Sequence, residues 1–234
     1  MQSSSPFAAV LDIFVAPSRA LNGVKDSKYW TFLPFLLYMG LPIAFLCFYF
    51  LGHDFESIKE QMLAAMGDRS PAEKEQAANF LTPHTVLVTS TLFFSLFSLL
   101  MFCMQGLYLM FATKVDPENI RSFPDWFALT VWAHFPEIIG TVLSFVLVLA
   151  SSTVPDLNSL NMLSLNGILN LPPGHPWQSF ATTFGLFSIW SLFLTGLGIQ
   201  LWTKIDKARA WVIAALPYVV IYGIWALVLV VKGS

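Results

Sequence analysis

Long reaches of chain without charge constrain this sequence more than any other feature. Residues 29–53, 76–113, 157–203 and 210–231 contain no Asp, Glu, Lys or Arg. A helix needs about 20 apolar residues to cross the hydrocarbon core of a bilayer, and each of these reaches is long enough. One further apolar stretch, about 126–150, carries a single carboxylate, Glu137, and no Lys or Arg. Only 11% of the 234 residues are charged, against about 25% in soluble domains. A soluble fold of this size has too little interior to hide so much apolar surface. A soluble enzyme and a disordered chain are therefore excluded. The formal net charge of -2 offers no basic excess for a phosphate backbone, which excludes nucleic acid as a partner.

The fold class expected is all-α: an integral membrane bundle of five transmembrane helices with an N-terminal interfacial amphipathic helix. The spans are placed at about 32–52, 84–112, 126–150, 179–202 and 209–231. Residues 1–28 form a cytoplasmic interfacial segment, and 29–234 the membrane domain. Phe7, Val10, Leu11 and Phe14 recur at helical spacing and predict a short helix lying on the membrane surface. Outer loops are expected at 54–83 and 151–177. In the first, Ser70-Pro71-Ala72-Glu73 reads as a capping box with Pro at the first helical position, and two short amphipathic helices follow from the pattern. The second is rich in Pro and Asn and is expected to be irregular, with one short helix. With the N-terminus inside, eight Lys and Arg fall on the inner side and four on the outer. The predicted orientation is N-terminus cytoplasmic and C-terminus extracytoplasmic.

Glu137 is the one acidic or basic residue placed deep in a span, about 18 Å beyond Asp125 at the helical rise. A charge there costs roughly 2.5–3.5 kcal/mol on insertion scales, so the carboxyl is expected to be protonated, paired or facing a wet cavity. His134 lies on the same helical face. Pro136, between them, deletes a backbone donor and frees a carbonyl one turn back. Two readings stay open: a proton or ion relay or head-group pocket, and an interhelical hydrogen bond to Gln105 or Tyr218. Pro217 marks a kink in the last span. Lys204, Lys207 and Arg209 form a basic cytoplasmic turn. Gly106, Gly196 and Gly198 read as close helix approaches. Cys47 and Cys103 read as buried apolar thiols.

No nucleophile elbow, P-loop, dinucleotide fingerprint or His-Glu-x-x-His motif is present, so no catalytic residue, metal or cofactor is expected. Phe187-Ser188-Ile189-Trp190-Ser191-Leu192-Phe193-Leu194-Thr195-Gly196-Leu197-Gly198 ends near a tight basic turn, Lys204-Ile205-Asp206-Lys207-Ala208-Arg209. With Ile13-Phe14-Val15-Ala16-Pro17 and Phe135-Pro136-Glu137, this resembles the Yip domain family, the Ypt/Rab-interacting or YIPF proteins, in its bacterial branch. The resemblance implies five spans and a cytoplasmic N-terminus. The long acidic N-terminal arm of the eukaryotic members is missing, and the outer loops carry no glycosylation sequon. Both lean towards a bacterial inner membrane. The expected function is a non-enzymatic scaffold or adaptor organising membrane lipids, copies of itself or other membrane proteins. The alternative is a transporter, channel or lipid-translocating protein working through the polar patch.

Overall fold

The computed structural model describes residues 2–67, 69–172 and 174–233. Met1, Asp68, Pro173 and Ser234 lie outside the described residues. Among the described residues the chain is helical and has no strand; one isolated bridge pairs Ser164 with Gly185. The helices are α1 (Pro6–Val15), α2 (Pro17–Asp26), α3 (Phe32–Gly52), α4 (Phe55–Ala64), α5 (Pro71–Phe80) and α6 (Pro83–Ala112). They continue as α7 (Phe123–His134), α8 (Ile138–Ala150), α9 (Leu165–Leu169), α10 (Gln178–Thr183), α11 (Leu186–Trp202) and α12 (Lys207–Gly233).

Four helical stretches are long and apolar enough to cross a membrane: Lys28–Gly52, Pro83–Val115, Phe123–Ala150 and Lys207–Lys232. Their outer faces are bare of polar cover. On α12, Val212, Val219, Ile224 and Leu227 are exposed, and on α6 Leu92, Phe93, Leu96 and Leu100. Apolar surface on this scale belongs against lipid. The fourth predicted span is corrected: 179–202 is not one helix. It breaks between Thr183 and Leu186, leaving α11 at 17 residues. The cause is local pairing. Leu165 N–H donates to the Phe184 carbonyl (2.7 Å) and Leu186 N–H to the Leu163 carbonyl (2.9 Å). A helix through these residues would forfeit those bonds. A Cβ at position 185 would sit 2.8 Å from the Ser164 Cα, which makes Gly185 the residue that admits this approach.

The chain divides into two compact units. The first comprises Met1–Tyr38, Phe97–Glu137 and Phe187–Val228. Its centre is the first half of the third span: Trp126, Ala128 to Ala133 are buried around the helix circumference. α7 starts on a capping box between Ser122 and Asp125, with Pro124 in the first turn. α2, which the sequence reading did not separate from the N-terminal segment, buries Ala20, Leu21 and Val24. α1 buries Ala9, Asp12 and Ile13, while Phe7, Leu11 and Val15 are 71%, 70% and 80% exposed. The single apolar face expected from Phe7, Val10, Leu11 and Phe14 is thus divided. Phe14 turns to Phe135, at 6.0 Å between ring centroids.

The second unit comprises Met39–Leu96, Ile138–Leu186 and Leu229–Ser234. Its core gathers Phe45, Tyr49, Phe50, Ile58, Val86 and Val148. The two short helices expected within 54–83 form. α4 buries Ile58, and α5 begins on the Ser70–Glu73 capping box with Pro71 in the first turn. Tyr49 donates to the Pro155 carbonyl (2.7 Å) and Gln61 to the Val154 carbonyl (2.9 Å), which holds the 151–177 loop in place.

Candidate functional site

Pro136 cannot donate a backbone bond, and the third span tightens there. Phe135–Glu137 form a 3-10 turn between α7 and α8. The turn positions Glu137 at the end of the fully buried half of the span. Its carboxylate accepts two hydrogen bonds from other spans. Tyr38 Oη donates to Oε2 at 2.9 Å from α3, and Ser191 Oγ donates to Oε1 at 3.2 Å from α11. Neither donor was foreseen from the sequence, which pointed to Gln105 or Tyr218. Gln105 makes no side-chain hydrogen bond, and the Tyr218 hydroxyl is buried without a partner. It lies within electrostatic range of Glu137 and stacks on Tyr222, with centroids 6.4 Å apart.

His134 shares the Glu137 face by spacing, yet its ring pairs elsewhere. Nδ1 contacts the Thr130 carbonyl one turn back at 3.0 Å, and Phe102 packs beside the ring at 5.6 Å. Phe102 also packs on Tyr38 at 5.0 Å, so one aromatic side chain fixes both the histidine and a carboxylate donor. Tyr38 lies ten residues past Lys28, where its span begins, about 15 Å along it at 1.5 Å per residue. Lys28 and Asp125 pair at 3.6 Å, so the counts along the two spans start from one level and place the carboxylate at a similar depth. The first half of the third span is wrapped in protein rather than lipid.

The remaining sequence candidates separate from this cluster. Pro217 lacks the N–H that would bond the Ile213 carbonyl, and Tyr108 Oη from α6 donates to that carbonyl instead, at 2.8 Å. Gln200 bonds within its own helix, to the Gly196 carbonyl at 3.4 Å. Gly196 and Gly198 are packing residues. A Cβ on Gly196 would meet the Trp211 ring at 2.7 Å, and one on Gly198 would overlap the Leu129 side chain. Gly106 lies against the Phe127 backbone, 3.2 Å from a would-be Cβ.

The basic turn is largely neutralised. Lys204 Nζ pairs with Glu118, and Arg209 with Asp206 at 3.1 Å, while Lys207 is exposed. The backbone N–H of Lys204 donates to Asp116 at 2.8 Å. Lys25 donates to the Leu201 carbonyl at the end of α11 (2.8 Å), and Arg121 to the Lys25 carbonyl (2.8 Å). These cations occupy carbonyls that helix ends leave without partners. No group of three His, Cys, Asp or Glu side chains converges among the described residues.

The Yip1 domain family model matches residues 11–229. The chain belongs to the Yip1 domain family. That match takes in three of the four long apolar stretches whole, most of the last, and the turn holding Glu137, so the polar cluster is part of a Yip1 domain rather than an appendage to it. No curated protein and no solved structure matches the chain. With its apolar helices, family membership makes this a multi-pass membrane protein.

Proposed function

We propose that this Yip1-family protein is a non-enzymatic membrane scaffold or adaptor, crossing the membrane five times with its N-terminus in the cytoplasm. The observation that carries the reading is the state of Glu137. Both carboxylate oxygens accept bonds from hydroxyls of two other helices. The one intramembrane carboxylate therefore joins three spans, and His134 is engaged with its own helix. Polar side chains spent on helix–helix bonds are what a bundle needs to hold its form in lipid.

A fifth crossing by α11 is supported by its length and its end contacts. Seventeen residues rise about 26 Å, the lower limit for a span. Lys25, Asp116, Glu118, Arg121 and Lys204 meet around the end of α11. The chain leaves that end through α7 and returns to it through α11. The concentration of Lys and Arg there supports assigning it to the cytoplasm. The exposed Phe7, Leu11 and Val15 stripe of α1 suits the cytoplasmic leaflet of an inner membrane, and partners would be lipids, further copies of the chain or other membrane proteins.

Crosslinking in intact membranes, followed by purification in mild detergent, tests the proposal. A stable oligomer or a reproducible membrane partner is the expected result. A strictly monomeric, partnerless protein that moves solute in liposomes would establish the transport reading instead.

A further inference from the structure

The second outer loop folds around a cavity of about 530 Å³ that the intramembrane cluster does not use. That volume lies within the roughly 300–1,000 Å³ of small-molecule sites. The end of α8, the loop after it, α9 and the start of α10 supply its walls, all within the second compact unit.

The hydrogen bonds already made on this wall define what is left for a ligand. Asp156 Oδ1 accepts from the Asn158 N–H at 2.8 Å, which leaves Oδ2 as an acceptor with no donor among the described residues. Asn166 is only 8% exposed; its Oδ1 accepts from the Leu171 N–H at 3.2 Å, and its Nδ2 has no acceptor among the described residues. Gln178 Oε1 accepts from the Gly174 N–H at 3.1 Å, and its Nε2 is likewise unanswered. Asn170 also lines the cavity, in the left-handed conformation (φ 50°), the one residue other than Gly with positive φ among those described. Among the described residues its carboxamide has no hydrogen-bond partner.

A ligand that satisfies this wall must accept from the amide groups of Asn166, Asn170 and Gln178 and donate to one carboxylate. A phosphate, sulfate or carboxylate could do the first but would face Asp156, and residues 151–177 hold no Lys or Arg to offset it. An ammonium could do the second but would leave the amide donors unmatched. An acyl chain would bury all of these groups unpaired, which is costly. Hydroxyl groups do both, since each donates one bond and accepts two. Leu147, Leu160 and Met162 add an apolar wall suited to the C–H face of a sugar ring.

The geometry points to a binding site for a neutral glycosyl group in this cavity, carried either on a lipid or on a free oligosaccharide. The lipid-facing side of α8 continues past it, with Val146 and Leu149 exposed. The inference stands apart from the scaffold reading and survives or fails independently of it.

The test uses the full chain in a non-glycosidic detergent and in nanodiscs, with diglucosyl diacylglycerol, free maltose and phosphatidylglycerol as probes. Asp156→Asn keeps the oxygen that holds the Asn158 N–H and removes the free acceptor. Gln178→Ala removes a donor. Saturable binding of diglucosyl diacylglycerol is expected, weakened about tenfold by Asp156→Asn and weakened also by Gln178→Ala, at unchanged thermal midpoint and elution volume. Maltose binding as well would make the sugar alone sufficient, and glycolipid binding without maltose would make the site lipid-borne; either supports the inference. Failure of both glycosyl probes to bind, binding that neither substitution weakens, or phosphatidylglycerol binding as tightly at the same site would overturn it.

Discussion

Tyr108 and Pro217 form a pair whose energetics can be separated from everything around them. Pro217 in α12 leaves the Ile213 carbonyl without its helical donor, and the Tyr108 hydroxyl supplies one at 2.8 Å. Tyr108→Phe removes that hydroxyl and little else. A hydrogen bond of this kind contributes about 1 kcal/mol in soluble proteins, and about 0.6, rarely above about 1.7, between membrane helices. The expected loss of stability is therefore about 1 kcal/mol. Pro217→Ala restores the backbone N–H, which can then serve Ile213 from within α12. In that background Tyr108→Phe is expected to cost close to nothing, and the coupling between the two substitutions should be about 1 kcal/mol. Reversible unfolding of the four proteins in mixed micelles, compared at one detergent composition, measures it. Distant, independent sites add to within about 0.3–0.5 kcal/mol. Equal losses for Tyr108→Phe in both backgrounds would refute the assignment of the hydroxyl to the proline-orphaned carbonyl.

Two further outcomes follow from the first compact unit. Gly198→Val forces a branched side chain into the space of Leu129 and is expected to destabilise by about 1–3 kcal/mol through overpacking; a lower thermal midpoint, with Gly198→Ala falling between it and the parent, is the check. Hydrogen bonds from Ser3 and from Arg19 hold the Asp12 carboxyl below the usual carboxylate range. Because the folded value is depressed, this contribution is present above the unfolded value of about 4 and is lost as pH falls through the folded one. Protease cleavage around Pro17 should rise at acid pH, and Asp12→Asn should cleave readily at neutral pH with little further change on acidification.

Much of the fold was legible because polar and apolar blocks alternate so sharply. The Ser70–Glu73 box, the 3-10 turn at Pro136 and the carbonyl that Pro217 leaves without its helical donor could be read from a few neighbouring residues, since capping and proline chemistry are local. The break before α11 could not, because it depends on Leu163–Leu165 meeting Phe184–Leu186 across the loop. Gly185 was its sequence signal. The Glu137 site was half legible. The cost of a deep carboxylate marked the residue, but its donors lie 99 and 54 positions away in sequence. A buried tyrosine hydroxyl needs a partner, a rule that applied to Tyr38 as much as to Tyr218. Only the packing of α3 against the third span decided between them. α2 is amphipathic at helical spacing, with Ala20, Leu21 and Val24 on its buried face, but ten residues with so few apolar side chains do not say what that face packs against; tertiary contacts such as Trp202 Nε1 to the Leu21 carbonyl at 3.0 Å decide it.

Whether Glu137 holds the bundle together or serves passing solute is the question on which the account rests. Proton and monovalent-cation flux through proteoliposomes, measured side by side for the parent protein and Glu137→Gln, addresses it most directly. The account predicts no protein-dependent flux in either. Flux in the parent that Glu137→Gln abolishes, with the fold intact, would contradict it.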